Sequence, residues 1–363
     1  MNEKQKRIEP NIRSAIDAII DLVAPANKAG VQQSNVDDHQ RRLLVAEMVA
    51  TSLRLLDDKL TVGELRLVRQ ALREMRAGFT MFDRYRTLRK IAIFGSARTP
   101  REHPDYVAAF QFSRLLATRG WMAITGAGPG IMQAGIEGPT PEQSFGLSIR
   151  LPFEDKPNPV IANDPKLLKF RYYFTRKLAF MGNADAVAAF PGGFGTQDEL
   201  FEALTLIQCG RNAVVPIVLI EGNSPDGTPG GYWKKWERFV LDSMHDAGWI
   251  SPEDEDLYCI AKSPLAAADI VTQFYRRYQS SRYVDDLFVI RLDTPLPSNA
   301  CAQLDSEFSQ LLASGGFLQG NHLDGDDVPD GTARVWFRHN RKYFGLVRRL
   351  IDRINALPRV SNI

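Results

Sequence analysis

The chain reads as a Rossmann-like α/β domain, a parallel sheet with helices on both faces, and three observations predict this. Short apolar runs, among them IAIF, WMAI, AVAAF and VVPIVLI, alternate with stretches of helical periodicity. These runs are apolar at successive positions and not at every second one, as strands covered on both faces are. Three of them lead straight into glycine turns that open toward helices, the arrangement by which open α/β sheets present backbone amides to a ligand at their carboxyl edge. The core domain is expected over residues 88–283, with an N-terminal helical extension over 1–87 and a small C-terminal α+β module over 284–363.

In the extension, LLVAEMVATSLRLLDD and GELRLVRQALREMRAGF carry apolar residues at helical spacing, and TVGE places Thr61 and Glu64 as a capping box. KIAIFGSA is then a strand ending in Gly95 and Ser96, VAAFQFSRLLATRG a helix closed by Gly120, and WMAITGAGPGIMQAGIEG a strand, a glycine turn and a helix. SFGLSIRL is a third strand, followed by the proline-rich loop PFEDKPNPVIANDP. The long stretch from DPKLLKFRYYFTRKLAF through AVAAFPGGFGTQDELFEALTLIQ reads as helix, strand, glycine turn and helix. VVPIVLIEG gives a further strand, GGYWKKWERFVLDSMHDAGW a helix, Leu257 to Ala261 a short strand, and PLAAADIVTQFYRRY the helix that closes the sheet. In the tail come the strand LFVIRL, a helix over DSEFSQLLASG, then GFLQG and ARVWFRH, and a basic amphipathic helix YFGLVRRLIDRI. The acidic loop NHLDGDDVPDGT lacks the spacing and terminal glutamate of a calcium loop and reads as a solvated turn. Arg338, Arg341, Lys342, Arg348 and Arg349 fall at helical spacing and read as a solvated helix face.

Composition narrows the functional classes. Lys+Arg 45 against Asp+Glu 43 leaves a formal net charge of +2, little support for binding nucleic acid through a concentrated basic face. The three cysteines, Cys209, Cys259 and Cys301, form neither a disulfide framework nor a CxxC motif, which fits a reducing cytoplasm. The five histidines show no metal-ligand spacing, so no metal and no cofactor is expected. The charged start lacks the apolar core of a signal peptide, and no apolar run reaches the ~18 residues that span a bilayer, so no membrane partner is expected either.

The three glycine turns carry the chemistry. FGSARTP leaves Gly95 and Ser96 at the end of a strand, where they either hold an anion or merely permit a tight turn. TGAGPGIMQAG presents Gly126, Gly128 and Gly130 before a helix. It is close to the dinucleotide fingerprint GxGxxG but does not match it, and no carboxylate ends the next strand at Ile149 to Leu151 to take a ribose, so a mononucleotide phosphate suits it better. AVAAFPGGFGTQDELFE is the most specific: Pro191, Gly192, Gly193, Gly195 and Thr196 stand between an apolar strand and a helix opening with Gln197, Asp198 and Glu199. Glycines without Cβ atoms let a phosphate approach the helix N-terminus, whose unpaired N–H groups and dipole favour negative charge. Asp198 suits that dipole alone, whereas Glu199 would face the sugar attached to the phosphate, with Glu202 one turn on orienting a hydroxyl. FRYYFTRKLAF supplies Arg171, Arg176 and Lys177 on the preceding helix, as partners for the substrate or as a salt bridge to Glu199. Phe194 or Tyr172 is placed to stack a base or to fill the core.

GSARTP, GAGPGIMQAG, TRKLAF and above all PGGFGTQDELFE resemble the LOG family of nucleotide-binding Rossmann-like proteins, the cytokinin-activating phosphoribohydrolases often labelled lysine decarboxylases. The resemblance covers about residues 88–278 and matches the family motif PGGxGTxxE position for position; at the second turn many members have GGGxxGLM where this chain has GAGPGIM. It implies cleavage of the N-glycosidic bond of nucleoside 5'-monophosphates to free base and ribose 5-phosphate, on purine and pyrimidine nucleotides as in the larger bacterial relatives. By motif position the catalytic pair would be Arg176 and Glu199. Gly193, Gly195 and Thr196 would grip phosphate, and Gly95, Ser96, Gly128, Gly130, Lys177, Gly192 and Glu202 complete the substrate site. A homo-oligomer, at least a dimer, is implied as well. The alternative that the turns also allow is a non-catalytic carrier of a nucleotide or a phosphorylated pterin cofactor.

Overall fold

The computed structural model of the chain describes residues 10–23, 35–150, 157–223, 228, 230–329 and 331–359; the first part of the proline-rich loop, residues 152–156, lies outside them, as does Asp330 of the acidic loop. The chain forms two compact units, Met1–Arg73 and Glu74–Ile363. In the first, α1 (Pro10–Val23) and α2 (Asn35–Arg54) bury Ile16, Ile20, Ala46 and Ala50 against one another. The helix α3 (Val62–Asp83) starts as expected: the Thr61 amide donates to Glu64 Oε2 at 2.7 Å and the Glu64 amide to Thr61 Oγ1 at 3.3 Å.

The second unit is built on β1 (Lys90–Phe94), α4 (Pro104–Thr118), β2 (Met122–Thr125), α5 (Ile131–Glu137), β3 (Ser144–Ile149), β4 (Leu167–Phe170), α6 (Tyr173–Met181), β5 (Ala186–Ala189), α7 (Phe194–Gln208), β6 (Ile217–Leu219), α8 (Tyr232–Val240), β7 (Tyr258–Ile260) and α9 (Pro264–Phe274). These strands form one parallel sheet in the order β4-β3-β2-β1-β5-β6-β7. The continuous apolar character of the strands has a simple cause. In β1, Ile91 and Ile93 enter one core with Phe112, Ala186 and Val218, while Ala92 and Phe94 enter the other with Phe145, Phe180 and Val187. The helix before β2 ends at Gly120, held at φ +83 where a side chain would be strained.

The C-terminal residues add β8 (Tyr278–Val284), β9 (Leu287–Leu292), α10 (Ala300–Glu307), β10 (Leu312–Gly320), β11 (Ala333–His339) and α11 (Phe344–Ala356). Their strands make an antiparallel sheet in the order β10-β11-β9-β8, and Ile290, Val335, Phe337, Leu350 and Ile351 join the same core as Val187 and Phe274. Asn355 fixes the joint, accepting the amides of Arg277 and Tyr278 and donating to Phe274 O at 2.6 Å.

Four local expectations are corrected. Leu167–Phe170, read as the start of a helix, is the edge strand β4, because it pairs with Gly146–Ile149 before the chain turns into α6. The helix expected over DSEFSQLLASG lies earlier, at Ala300–Glu307, and LASGGFLQG is a strand whose register shifts across its glycines against β11. Arg348 is buried on the inner face of α11, where it pairs with Asp352 at 3.0 Å and lies over the Phe274 ring. Asp326, read as part of a solvated turn, has no exposed side-chain surface: it accepts from Arg334 Nε at 2.6 Å and from Arg291.

Burial works to raise the Asp326 carboxyl, and the hydrogen bonds and charges of Arg291 and Arg334 outweigh it, holding the group below the usual carboxylate range. Arg334 is itself 1% exposed, so removing Asp326 strands a buried cation. Asp326→Ala is expected to destabilise the protein by about 3–5 kcal/mol and to lower the melting temperature clearly. Asp327→Ala, at a side chain 67% exposed, should cost less than about 1 kcal/mol. Equal melting temperatures for the two variants would contradict this account.

Candidate active site

The chain runs from β1 through β2 and β3 to β4 on one side of the sheet and then returns to place β5 on the other side of β1. The carboxyl ends of β1 and β5 therefore flank a topological switch point, the place where loops diverge and leave a crevice. The three glycine turns follow β2, β1 and β5, neighbours in the sheet, and so converge on that crevice. A cavity of about 1140 Å³ opens there.

Backbone hydrogen bonds fasten the turns together. The Ser96 amide donates to Pro191 O at 3.1 Å and the Ile131 amide donates to Ser96 O at 3.0 Å, so the first turn is stapled to both others. Several glycines exist for this packing. A Cβ on Gly192 would lie 2.1 Å from Thr196 Oγ1, one on Gly95 2.5 Å from Ile131 Cγ2, and one on Gly128 2.5 Å from Met132 Cε. Gly130 sits at φ +65, and a Cβ there would lie 2.3 Å from Ser96 O. Gly193 and Gly195 differ: a Cβ on either would meet nothing within 4 Å. Both line the cavity at the start of α7. The first carbonyl to accept within that helix is Gly193 O, which takes the amides of Thr196 and Gln197 at 3.1 Å, so the amides of Gly193, Phe194 and Gly195 are surplus to the helix. The Thr196 side chain is buried beside them.

Facing this helix end, Arg176 on α6 and Glu199 on α7 meet with Nη2 3.3 Å from Oε1, at side-chain exposures of 13% and 6%. Arg176 Nε is buried with no hydrogen-bond partner among the described residues, and the guanidinium lies 5.0 Å over the Tyr173 ring. Burial pushes the Glu199 carboxyl above the usual glutamate value; the charges of Arg176 and Lys177 pull against it without cancelling it. Lys177 reaches Glu202 at 2.8 Å, Asp198 at 3.0 Å and Glu199 at 3.8 Å. Burial alone would lower its pKa, but those hydrogen bonds and the charge of Glu199 leave it raised.

The structure thus brings Gly95, Ser96, Gly128, Gly193, Gly195, Thr196, Arg176 and Glu199 to one cavity wall. Lys177, Glu202, Gly130 and Gly192 are not part of that lining: the first two bind each other, and the two glycines pack the turns. Ser96 Oγ accepts the Arg98 amide at 3.1 Å. Phe194 lies at the rim, 97% exposed, and Tyr173 replaces Tyr172 as the aromatic wall.

Three lining cations, Arg98, Arg150 and Lys169, were not singled out from the sequence; their charged ends have no partner among the described residues. Only Arg98, inside GSARTP, carried a signal. Glu74 was also missed. This buried carboxylate accepts the Arg171 amide at 2.7 Å and the Thr175 hydroxyl at 2.5 Å, tying a residue just before the helix that bears Arg176 to its first turn. Among the described residues there is no group of three His, Cys, Asp or Glu side chains arranged to hold a metal ion, and no helix long and apolar enough to cross a membrane.

No curated protein sequence matches the chain. Among solved structures it is similar to the molybdenum cofactor binding protein from the phototrophic bacterium Rippkaea orientalis, at 18% identity over 51% of this chain and 96% of that one, with a TM-score of 0.37. It is similar also to a Moco carrier protein from Chlamydomonas reinhardtii, at 22% identity over 51% and 96%, TM-score 0.35. DNA processing protein A from Helicobacter pylori matches at 18% identity over 41% and 72%, TM-score 0.31. Residues 118–271 match the family model described as "Possible lysine decarboxylase". That segment holds the second and third glycine turns, Arg176 and Glu199, and the match agrees with the resemblance of these motifs to the LOG family.

Proposed function

We propose that the cavity hydrolyses the N-glycosidic bond of nucleoside 5'-monophosphates, releasing free base and ribose 5-phosphate. The observation that carries this reading is the juxtaposition of the open N-terminus of α7, with Gly193 and Gly195 facing empty space, and the buried pair that Glu199, one turn further along the same helix, makes with Arg176 of α6. The surplus amides and the helix dipole suit a phosphate. A carboxylate four to six residues beyond those glycines would then face the ribose attached to the phosphate.

Breaking the bond from C1' to the base leaves positive charge on the ribose, while the electron pair departs with the base. Glu199 stabilises that cation and takes a proton from the water that adds to C1'. Arg176 orients Glu199, and its partnerless Nε is available to a phosphate or ribose oxygen. The phosphate serves as a handle, its binding placing the glycosidic carbon against the carboxylate. The resemblance extends the proposal to a cytoplasmic homo-oligomer.

The decarboxylase description in the family model is not supported by Lys177. A lysine that forms a Schiff base must shed its proton, and this one is raised in pKa by three carboxylates. A carrier role is the second reading, favoured by a cavity roomy for a mononucleotide and lined by Arg98, Arg150 and Lys169, which would suit a larger anionic ligand.

A nucleotide panel assayed by chromatography for free base separates the readings. AMP should be cleaved, with kcat/KM roughly 10- to 100-fold above that for adenosine, which lacks the handle. Glu199→Gln should keep nucleotide binding and lose roughly 10²- to 10⁴-fold in turnover; wild-type release of base from this variant would remove Glu199 from the mechanism. Because Glu199 acts ionised and its pKa in the free protein is raised, kcat/KM should fall on the acid side with a midpoint above 4.5. A limb at or below that value would reject its role. Gly193→Ala should melt like the wild type but bind AMP more weakly, since its new methyl enters only the cavity, whereas Gly192→Ala should lose stability through collision with Thr196. Unchanged AMP affinity in Gly193→Ala would place the phosphate elsewhere.

A further inference from the structure

A chain of hydrogen bonds outside the cavity ends on the phosphate-type turn. Trp236 Nε1 donates to Gln197 Oε1 at 2.8 Å, Gln197 Nε2 donates to Tyr232 Oη at 2.8 Å, and Tyr232 Oη donates to Gly192 O at 2.5 Å. Its direction is fixed by chemistry. An indole N–H can only donate, so the Gln197 amide must turn its oxygen to Trp236 and its nitrogen to Tyr232. The hydroxyl then receives one hydrogen bond and has its own hydrogen left for the Gly192 carbonyl.

The start of the chain is anchored in turn. Glu221, at the end of β6, accepts the amides of Gly231 at 3.1 Å and Tyr232 at 2.8 Å, which sets the first turn of α8. Trp233 donates to Ile220 O at 2.9 Å from a fully buried position, and the Tyr232 ring packs edge-on against it at 4.9 Å.

In a trans peptide the N–H points opposite to the carbonyl. A Gly192 carbonyl held toward α8 therefore turns the Gly193 N–H away from α8, and Gly193 lies in the cavity wall. Two successive glycines offer no side-chain resistance to a flipped peptide. On the other side of Gly192, the Pro191 carbonyl is held by the Ser96 amide, so the peptides at both ends of Gly192 are held by hydrogen bonds.

We propose that Tyr232, with Gln197 and Trp236 behind it, is a positioning device that locks the Gly192–Gly193 peptide with its N–H toward the cavity, and so pre-forms the site for a phosphate group. This rests on the reading of the α7 N-terminus as the phosphate cradle, and it is independent of whether the bound nucleotide is hydrolysed.

The test is calorimetric titration of ribose 5-phosphate into the full-length protein, alongside base release from AMP. Tyr232→Phe keeps the ring and its packing, so its melting temperature should stay near that of the wild type. Its affinity for ribose 5-phosphate should fall roughly 3- to 10-fold, with KM for AMP rising and KM for adenosine unmoved. Gln197→Glu has no hydrogen to give Tyr232 and draws the hydroxyl hydrogen to its own carboxylate, leaving Gly192 O unheld with the tyrosine intact. It should lose affinity comparably, and in Tyr232→Phe/Gln197→Glu the two losses should not multiply. Repulsion of the phosphate by the new charge would instead multiply onto the Tyr232→Phe loss, and that result overturns the proposal. So does wild-type affinity in Tyr232→Phe, or a wild type that does not bind ribose 5-phosphate. Weakened binding in Tyr232→Phe without any base release from the wild type would sink the hydrolase reading and leave the positioning device standing.

Discussion

Arg176 and Glu199 meet with nearly all of both side chains removed from water, and the candidate site is organised around the consequences of that burial. A desolvated ion pair recovers its solvation cost only when further groups satisfy the remaining atoms. The protein supplies part of this. The Arg176 guanidinium lies over Tyr173 and Phe180, Lys177 stands 3.8 Å from the second oxygen of Glu199, and Asp198 and Glu202 keep Lys177 charged. Among the described residues Arg176 Nε has no partner. In an otherwise satisfied neighbourhood, an unpaired buried donor beside a cavity is best explained by a ligand that completes it.

Such a pair demands rigid backbones on both sides. For α7 the anchor is the turn after β5, stapled to the first turn by Ser96. For α6 it is Glu74, whose carboxylate gathers the Arg171 amide and the Thr175 hydroxyl at the helix start. Arg176 follows Thr175 directly, so a shift in that tie would move the guanidinium relative to Glu199. Both supports are buried polar groups with their hydrogen bonds made, the condition under which they rigidify a structure and do not weaken it.

The sheet was legible because strands covered on both faces leave an unmistakable apolar run, and β1, β2, β5 and β6 are all of this kind. The elements misread are those where that covering fails. Strand β4 is a half-exposed edge with Lys169 facing out, so LLKF merges with the helical pattern of the residues after it. In β10 the glycines that shift its register remove the alternation that would have marked a strand. At the site, the pairing of Arg176 with Glu199 was readable because the motif fixes both residue types in the chain. Glu74 and Tyr232 were not, because each acts on the site through one backbone contact across at least 40 residues of sequence, Tyr232 on Gly192 and Glu74 on Arg171. The glycines make the same point within a single turn: Gly192 and Gly193 are adjacent, yet one is required by packing and the other faces open space.

The charge of the cavity follows from these assignments. Among the described residues of its lining the single carboxylate is Glu199, and Arg176 already offsets it, while Arg98, Arg150 and Lys169 remain uncompensated. A cavity in this state draws anions, and the helix end adds to the same sign. Three such cations exceed the charge of about −1.5 to −2 that a phosphate monoester carries at neutral pH. Arg98 stands in the loop after β1, beside the turn that opens α7, whereas Arg150 follows β3 and Lys169 lies on β4, toward the far edge of the sheet. On the proposed reading, a base that reaches from a phosphate at α7 across the cavity would come to Arg150 and Lys169. Positive charge there would meet the electron pair that leaves with the base, while the carboxylate meets the cation left on the sugar, so the two halves of the broken bond would each find the opposite sign.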